Sequence, residues 1–154
     1  MKRSLIMILT LGFLLVLPVQ AWAVELTLRN EEHSPARVAI AYKKGDSIVV
    51  EGWHILAVDQ SKILSLPNVG PEEVFIRVEF DNPDIEQSFP DVWTLDCVVI
   101  NDDFTYEMQS ASSVLGLPPA LDSSEAYKAT FRKISTMYKN GEDKLHFNLS
   151  AAAG

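Results

Sequence analysis

Few side chains in these 154 residues stand where chemistry would need them. His33 follows Glu31-Glu32, His54 adjoins Trp53, and His146 lies within "KLHFNLS". None has the HExxH or H-x-H spacing that brings two imidazoles to one metal, and the sole cysteine, Cys97, offers no thiolate cluster. No firm metal site is expected. Gly-x-Ser-x-Gly elbows, P-loops and dinucleotide fingerprints do not occur either. Carboxylate pairs suited to glycoside hydrolysis are plentiful in an acidic chain, so their spacing carries no specificity. The expectation is a non-enzyme without a cofactor, with an enzyme of unrecognised type as the third reading.

Two stretches could bind. In "VVEGWHIL", Val49 to Leu56, a strand would put Val49, Glu51 and Trp53 on one face and Ile48, Val50, Gly52 and His54 on the other. Gly52 permits a bulge or a close approach of another segment. Glu51 beside Trp53 keeps that face wet unless a bulge turns one of them over. Trp53 is first a packed anchor whose indole N–H needs a partner. Its second role would be a binding platform flanked by Glu51 and His54, with Trp93 as another aromatic able to stack on a ligand ring. In "DNPDIEQSFPD", Asp81, Asn82, Asp84 and Glu86 place hard oxygens in one loop, as a weak Ca²⁺ site would. EF-hand spacing and the turn glycine are missing, so a solvated loop is the leading reading there. Cys97, inside "WTLDCVVI", is expected to be a buried, inert thiol, because its neighbour is Asp96 rather than a base that would lower its pKa.

The elements that must position these residues mostly alternate with period two. "ELTLRN" sets Leu26 and Leu28 on one side, "ARVAIAYK" sets Val38, Ile40 and Tyr42, and "EVFIRVEF" sets Val74, Ile76, Val78 and Phe80. "DFTYEM" aligns Phe104, Tyr106 and Met108; "KLHFNLS" aligns Leu145, Phe147 and Leu149 in a last strand over about 144–149. "VWTLDCVVI" is more continuously apolar, which suits a central strand. Lys44-Gly45-Asp46 and Asn101-Asp102-Asp103 are short enough for hairpin turns. Asp122 and Glu125 resemble a capping box, and Tyr127, Phe131, Ile134 and Tyr138 follow at helical spacing, predicting a helix over about 123–139 that Asn140-Gly141 stops. The expected fold is mainly β: an antiparallel β-sandwich or flattened barrel, with one C-terminal amphipathic helix packed on it.

"MKRSLIMILTLGFLLVLPVQAWAVE" has a basic start, an apolar run from Leu5 to Leu17, the helix-breaking Pro18, and Ala21-Trp22-Ala23. That order predicts a signal peptide over 1–23, cleaved between Ala23 and Val24. The run is shorter than the roughly 20 apolar residues that span a bilayer, so no retained membrane span is expected. Removing Lys2 and Arg3 leaves 11 basic residues against 21 acids, a net charge of −10 for the single β-rich domain over 24–154. That balance argues against nucleic acid, which needs clustered Lys and Arg, and fits a basic partner. The chain is expected in the periplasm or secreted. With one cysteine, its fold must hold without an internal disulfide.

"RVAIAYKKGDSIVVEGWHIL" resembles the start of the bacterial family called domain of unknown function 1036. That family opens with an Asn-containing strand, a Val-Ala-Ile-x-Tyr strand, a turn and a Gly-Trp step. Here these are "LRN" at Leu28 to Asn30, "VAIAY" at Val38 to Tyr42, and Gly52-Trp53. "CVVINDDFTY", Cys97 to Tyr106, resembles its Cys-Val…Phe segment. The family often carries a cysteine where this chain has Arg29, so its disulfide to the position of Cys97 has no counterpart here. The resemblance, over about Leu26 to Met108, implies a small, often exported protein and no catalytic residues. Two binding classes follow: an interaction module of the cell envelope that engages another exported protein, or a small-molecule or glycan binder using an exposed Trp.

Overall fold

In the computed structural model, residues 23–70, 73–87, 89, 93–109, 126–134 and 144–151 are described. Among the described residues nine strands make up the regular structure: β1 (Ala23–Asn30), β2 (Ala36–Lys44), β3 (Ser47–Leu56), β4 (Ser61–Pro67), β5 (Val74–Phe80), β6 (Thr94–Val99), β7 (Phe104–Gln109), β8 (Tyr127–Lys133) and β9 (Lys144–Leu149). The mainly β expectation holds, and the described residues contain no helix. The strands form a three-stranded sheet, β4-β1-β9, and a six-stranded antiparallel sheet, β6-β8-β5-β2-β3-β7. β1 and β9 run parallel; the other pairings are antiparallel.

Alternation explains how the two sheets meet. Leu26 and Leu28 of β1, Leu66 of β4, and Leu145, Phe147 and Leu149 of β9 form one wall of the first core. Val38, Ile40 and Tyr42 of β2, with Val74, Ile76 and Val78 of β5, form the other. The opposite face of the six-stranded sheet encloses a second core that includes Ala39, Ala41, Val50, Cys97, Phe104, Tyr106 and Phe131. β2 is thus buried on both sides, and its small Ala39 and Ala41 let the sheet curl tightly around the second core.

The curl brings opposite edges together. β6 and β7 end the strand order, yet the Tyr106 hydroxyl of β7 donates to Val98 O at 2.7 Å and accepts from Val98 N–H at 3.0 Å on β6. A side chain therefore takes the place of a backbone ladder across this gap.

Three expectations change. Tyr127–Lys133, inside the predicted helix, is strand β8, paired along its length with β6. Tyr127, Ala129 and Phe131 face the second core, a two-residue repeat that the i, i+4 aromatic spacing concealed. The rest of the predicted 123–139 span falls largely outside the described residues. "WTLDCVVI" supplies an edge strand rather than a central one; its continuous apolar character reflects the second core on one side and the Tyr106 bridge at Val98. The Asn101–Asp103 connection joins the two opposite edges of the curled sheet and makes no hairpin, whereas Gly45, at φ +61°, turns the β2–β3 hairpin as expected.

Candidate functional site

The Gly-Trp step is a bulge. β2 and β3 pair Val38 with His54 and Ile40 with Glu51, so two steps on β2 oppose three on β3, opposite Ala39. The Gly52–Trp53 peptide bond is cis. Val49 faces the first core and Val50 the second; after the extra residue, Trp53 faces the second core and Leu56 the first. Trp53 is thereby turned away from Glu51. Its ring is only 6% exposed, its indole N–H donates to Ile100 O at 2.8 Å, and its edge meets Phe104 at a 6.2 Å centroid distance. The Arg37 guanidinium lies 4.3 Å over the ring centroid. Trp53 is placed as an anchor of the fold, with its polar edge satisfied by the loop that follows β6.

What the anchor leaves outside is a cleft of about 490 Å³, with Glu51, His54, Lys62, Asp103 and Thr105 on its polar wall. Asp103 Oδ1 accepts from Trp53 N–H at 3.3 Å, and the His54 ring and Glu51 carboxylate lie 3.3 Å apart. Burial first, and the nearby Glu51 charge second, raise the pKa of the Tyr42 hydroxyl. So Glu51, Trp53 and His54 come together at this cleft, with Trp53 itself almost wholly buried. Lys62 and Asp103 were not singled out from sequence, because one comes from a different sheet and the other from the connection between β6 and β7. Trp93 stands apart, at the opposite end of β6 from Ile100, 70% exposed, with Lys133 Nζ 5.8 Å over its ring.

A second opening lies in the six-stranded sheet itself. β5 and β8 pair only at Phe75↔Lys133 and Ile76↔Arg132, beside the bond from Ile134 N–H to Val74 O. Alternate residues of an antiparallel strand point their N–H and C=O to the same side. Val74 O therefore places Val78 and Phe80 with their backbone groups toward β8. Lys133 N–H donates to Trp93 O, so odd residues of β8 face β6 while Lys128 and Thr130 face β5. Beyond Ile76 the strands separate, and among the described residues no ladder partner meets these lips. Between them and residues 83–87 and Phe89 lies a cavity of about 390 Å³ with Val78, Phe80, Ile85 and Phe89 as apolar lining and Arg77 and Arg132 as cations. Glu79, on the same strand, is taken up by Arg37 at 2.6 and 2.9 Å and by Arg77 at 3.2 Å.

The loop weighed as a weak Ca²⁺ site turns on its own hydrogen bonds. Asn82 Oδ1 accepts from Asp84 N–H at 3.0 Å, Asn82 O accepts from Ile85 N–H, and Glu86 lines the seam cavity. Among the described residues no three His, Cys, Asp or Glu side chains converge as metal ligands. Residues 1–22 lie outside the described part, and the expected junction Ala23–Val24 falls at the start of β1, where Val24 is buried. Among the described residues no helix is long and apolar enough to cross a membrane.

Cys97 is fully buried in the second core, as expected of an inert thiol. Burial first, and the Asp96 charge second, push its pKa up to about 12. Iodoacetamide near pH 8.5 should leave the folded protein unlabelled and modify Cys97 only after denaturant unfolds it; mass spectrometry reads the difference, and labelling of the folded chain would contradict the burial. The same shift has a stability consequence. The unfolded thiol ionises first, so the folded state binds the extra proton as pH rises from about 9 towards 12, and stability falls across that window.

Comparison of the chain with models of protein families, with curated proteins and with solved structures finds no match.

Proposed function

We propose that this chain is an exported, non-enzymatic interaction module of the bacterial cell envelope, and that it accepts an extended segment of another exported protein in the seam between β5 and β8. The observation that carries this reading is the divergence of the two strands after Ile76, which turns the backbone groups of Val78, Phe80 and Thr130 toward a common cavity. Buried backbone donors and acceptors need partners, and an added strand supplies both kinds at the matching repeat. Apolar Val78, Phe80, Ile85 and Phe89 would receive alternate side chains of that segment. A signal-like leader and the resemblance to domain of unknown function 1036 support the exported setting. The net charge of −10 expected after cleavage favours a basic partner, whose approach it would steer.

Proline at Thr130 tests the seam selectively. Its N–H points to the seam and makes no bond to β6, so Thr130→Pro removes a seam donor while sparing the β6–β8 ladder bonds. Thr130→Val is the control, since it loses only the hydroxyl bond to Asp96 Oδ1 at 2.9 Å and keeps the N–H. Tagged residues 24–154 are used to capture partners from a cell-envelope extract, with mass spectrometry for identification and circular dichroism as the folding check. One partner retained by Thr130→Val and reduced at least about tenfold by folded Thr130→Pro is the expected result, each tenfold being about 1.4 kcal/mol. Equal capture by wild type and folded Thr130→Pro would sink the seam as the docking site.

A further inference from the structure

We propose that the cleft beside the Gly52–Trp53 bulge binds a free zwitterionic α-amino acid, its ammonium between Glu51 and Asp103 and its carboxylate on Lys62.

The cleft exists because the sheets differ in width. The six-stranded sheet ends in β3 and β7, while the three-stranded sheet ends in β4, so the outer part of the wider sheet is not covered by the narrower one. Glu51 and Thr105 are cross-strand partners and share a face; Asp103, two residues before Thr105, opens onto the same cleft. Lys62 reaches in from β4, where it pairs with Leu28 and so shares the side of the sheet that faces the first core. Charges of opposite sign thus stand on opposing walls.

Those walls are also organised before any ligand arrives. Glu51 is held by His54, and Asp103 by the backbone N–H of Trp53. A carboxylate has about four lone-pair sites, so each keeps acceptor capacity for an ammonium. Among the described residues Lys62 is in no ion pair, which leaves its ammonium for an incoming carboxylate. A lone anion would meet two carboxylates, and a simple amine would meet Lys62. Only a ligand with both charges satisfies both walls. About 490 Å³ of open space suits a small molecule whose side chain points outward. The inference stands apart from the β5–β8 seam.

The test uses residues 24–154, with ¹⁵N-labelled protein and calorimetry, and L-alanine, L-leucine, propionate and ethylamine as probes. L-alanine and L-leucine should shift the Gly52, Trp53 and Thr105 amides saturably, with propionate and ethylamine at least about tenfold weaker. Lys62→Gln and Asp103→Asn should each weaken L-leucine at least about tenfold, about 1.4 kcal/mol, without changing the melting temperature. Lys144→Gln, which removes a lysine of β9 outside the cleft, is the control and should keep the affinity. No saturable shift up to roughly 10 mM would overturn the proposal. So would ethylamine binding as tightly as L-alanine, or Lys62→Gln leaving the affinity unchanged.

Discussion

Gly52→Val should lower the melting temperature by about 10 °C. A Cβ on Gly52 would sit 2.8 Å from the Cβ of Ala39 and 3.1 and 3.2 Å from the Phe104 ring. The first of these neighbours is fixed to the backbone of the doubly buried β2, so no rotamer change relieves it. Phe104 is held between Trp53 and Tyr106, at centroid distances of 6.2 and 6.1 Å. Forced overpacking costs roughly 1–3 kcal/mol, and the branched side chain puts this site at the upper end. In a domain of this size each kcal/mol moves the midpoint by roughly 3–5 °C. Moving the methyl to the other strand checks the cause. Gly52→Ala alone should destabilise, and adding Ala39→Gly should recover at least about 1 kcal/mol of that loss in a double-mutant cycle. Strict additivity in thermal and urea melts would show that the contact with Ala39 is not what makes this glycine necessary.

The same bulge shows where sequence reasoning reached and where it stopped. Alternating Leu26 and Leu28, Val38 to Tyr42, Val74 to Phe80, Phe104 to Met108 and Leu145 to Leu149 marked five strands, because each has a core on at least one face. The parity of Trp53 was not legible from spacing, since one extra residue reverses every later side chain and only pairing reveals it. Tyr127, Phe131 and Ile134 fit a helix as well as they fit β8 and its end, where Tyr127 and Phe131 serve the second core and Ile134, just past the strand, the first. Ala129 between them was the strand signal, but a small residue weighs little beside two large rings. The seam and the cleft were beyond reach for a related reason. One depends on where β5 and β8 part, the other on Lys62 of β4 and Asp103 of the β6–β7 connection meeting Glu51. Tertiary pairing, not local preference, makes both.

Asn30→Asp should cost about 3 kcal/mol or more near pH 7 and markedly less near pH 3. Asn30 closes β1 with no exposed surface. Its Nδ2 donates to Ser34 O at 2.9 Å, to Ala57 O at 3.1 Å and, at the long limit, to Leu56 O at 3.4 Å. Its Oδ1 accepts from Glu32 N–H at 3.0 Å. One amide therefore ties the end of β1 to the 31–35 turn and to the turn that carries the chain from one sheet to the other. Aspartate has the same shape but no donor when ionised, and it would set a carboxylate against carbonyl oxygens. Each buried group left unpaired costs about 1–3 kcal/mol, and a buried charge adds more. The acid escapes by staying protonated, so its folded pKa would lie above the unfolded value of about 3.9. Between those two values the folded state binds more protons than the unfolded state, and stability falls as pH rises through the window. Asn30→Ala is the necessary comparison: it loses the same donors but carries no charge, so its deficit against wild type should stay level with pH. Urea melts of the three proteins from about pH 3 to pH 7 separate the cases, because a pH-dependent deficit can come only from a group that titrates. A level deficit for Asn30→Asp would mean that the end of β1 had opened to water and released Asn30 from its role as the tie between the two sheets.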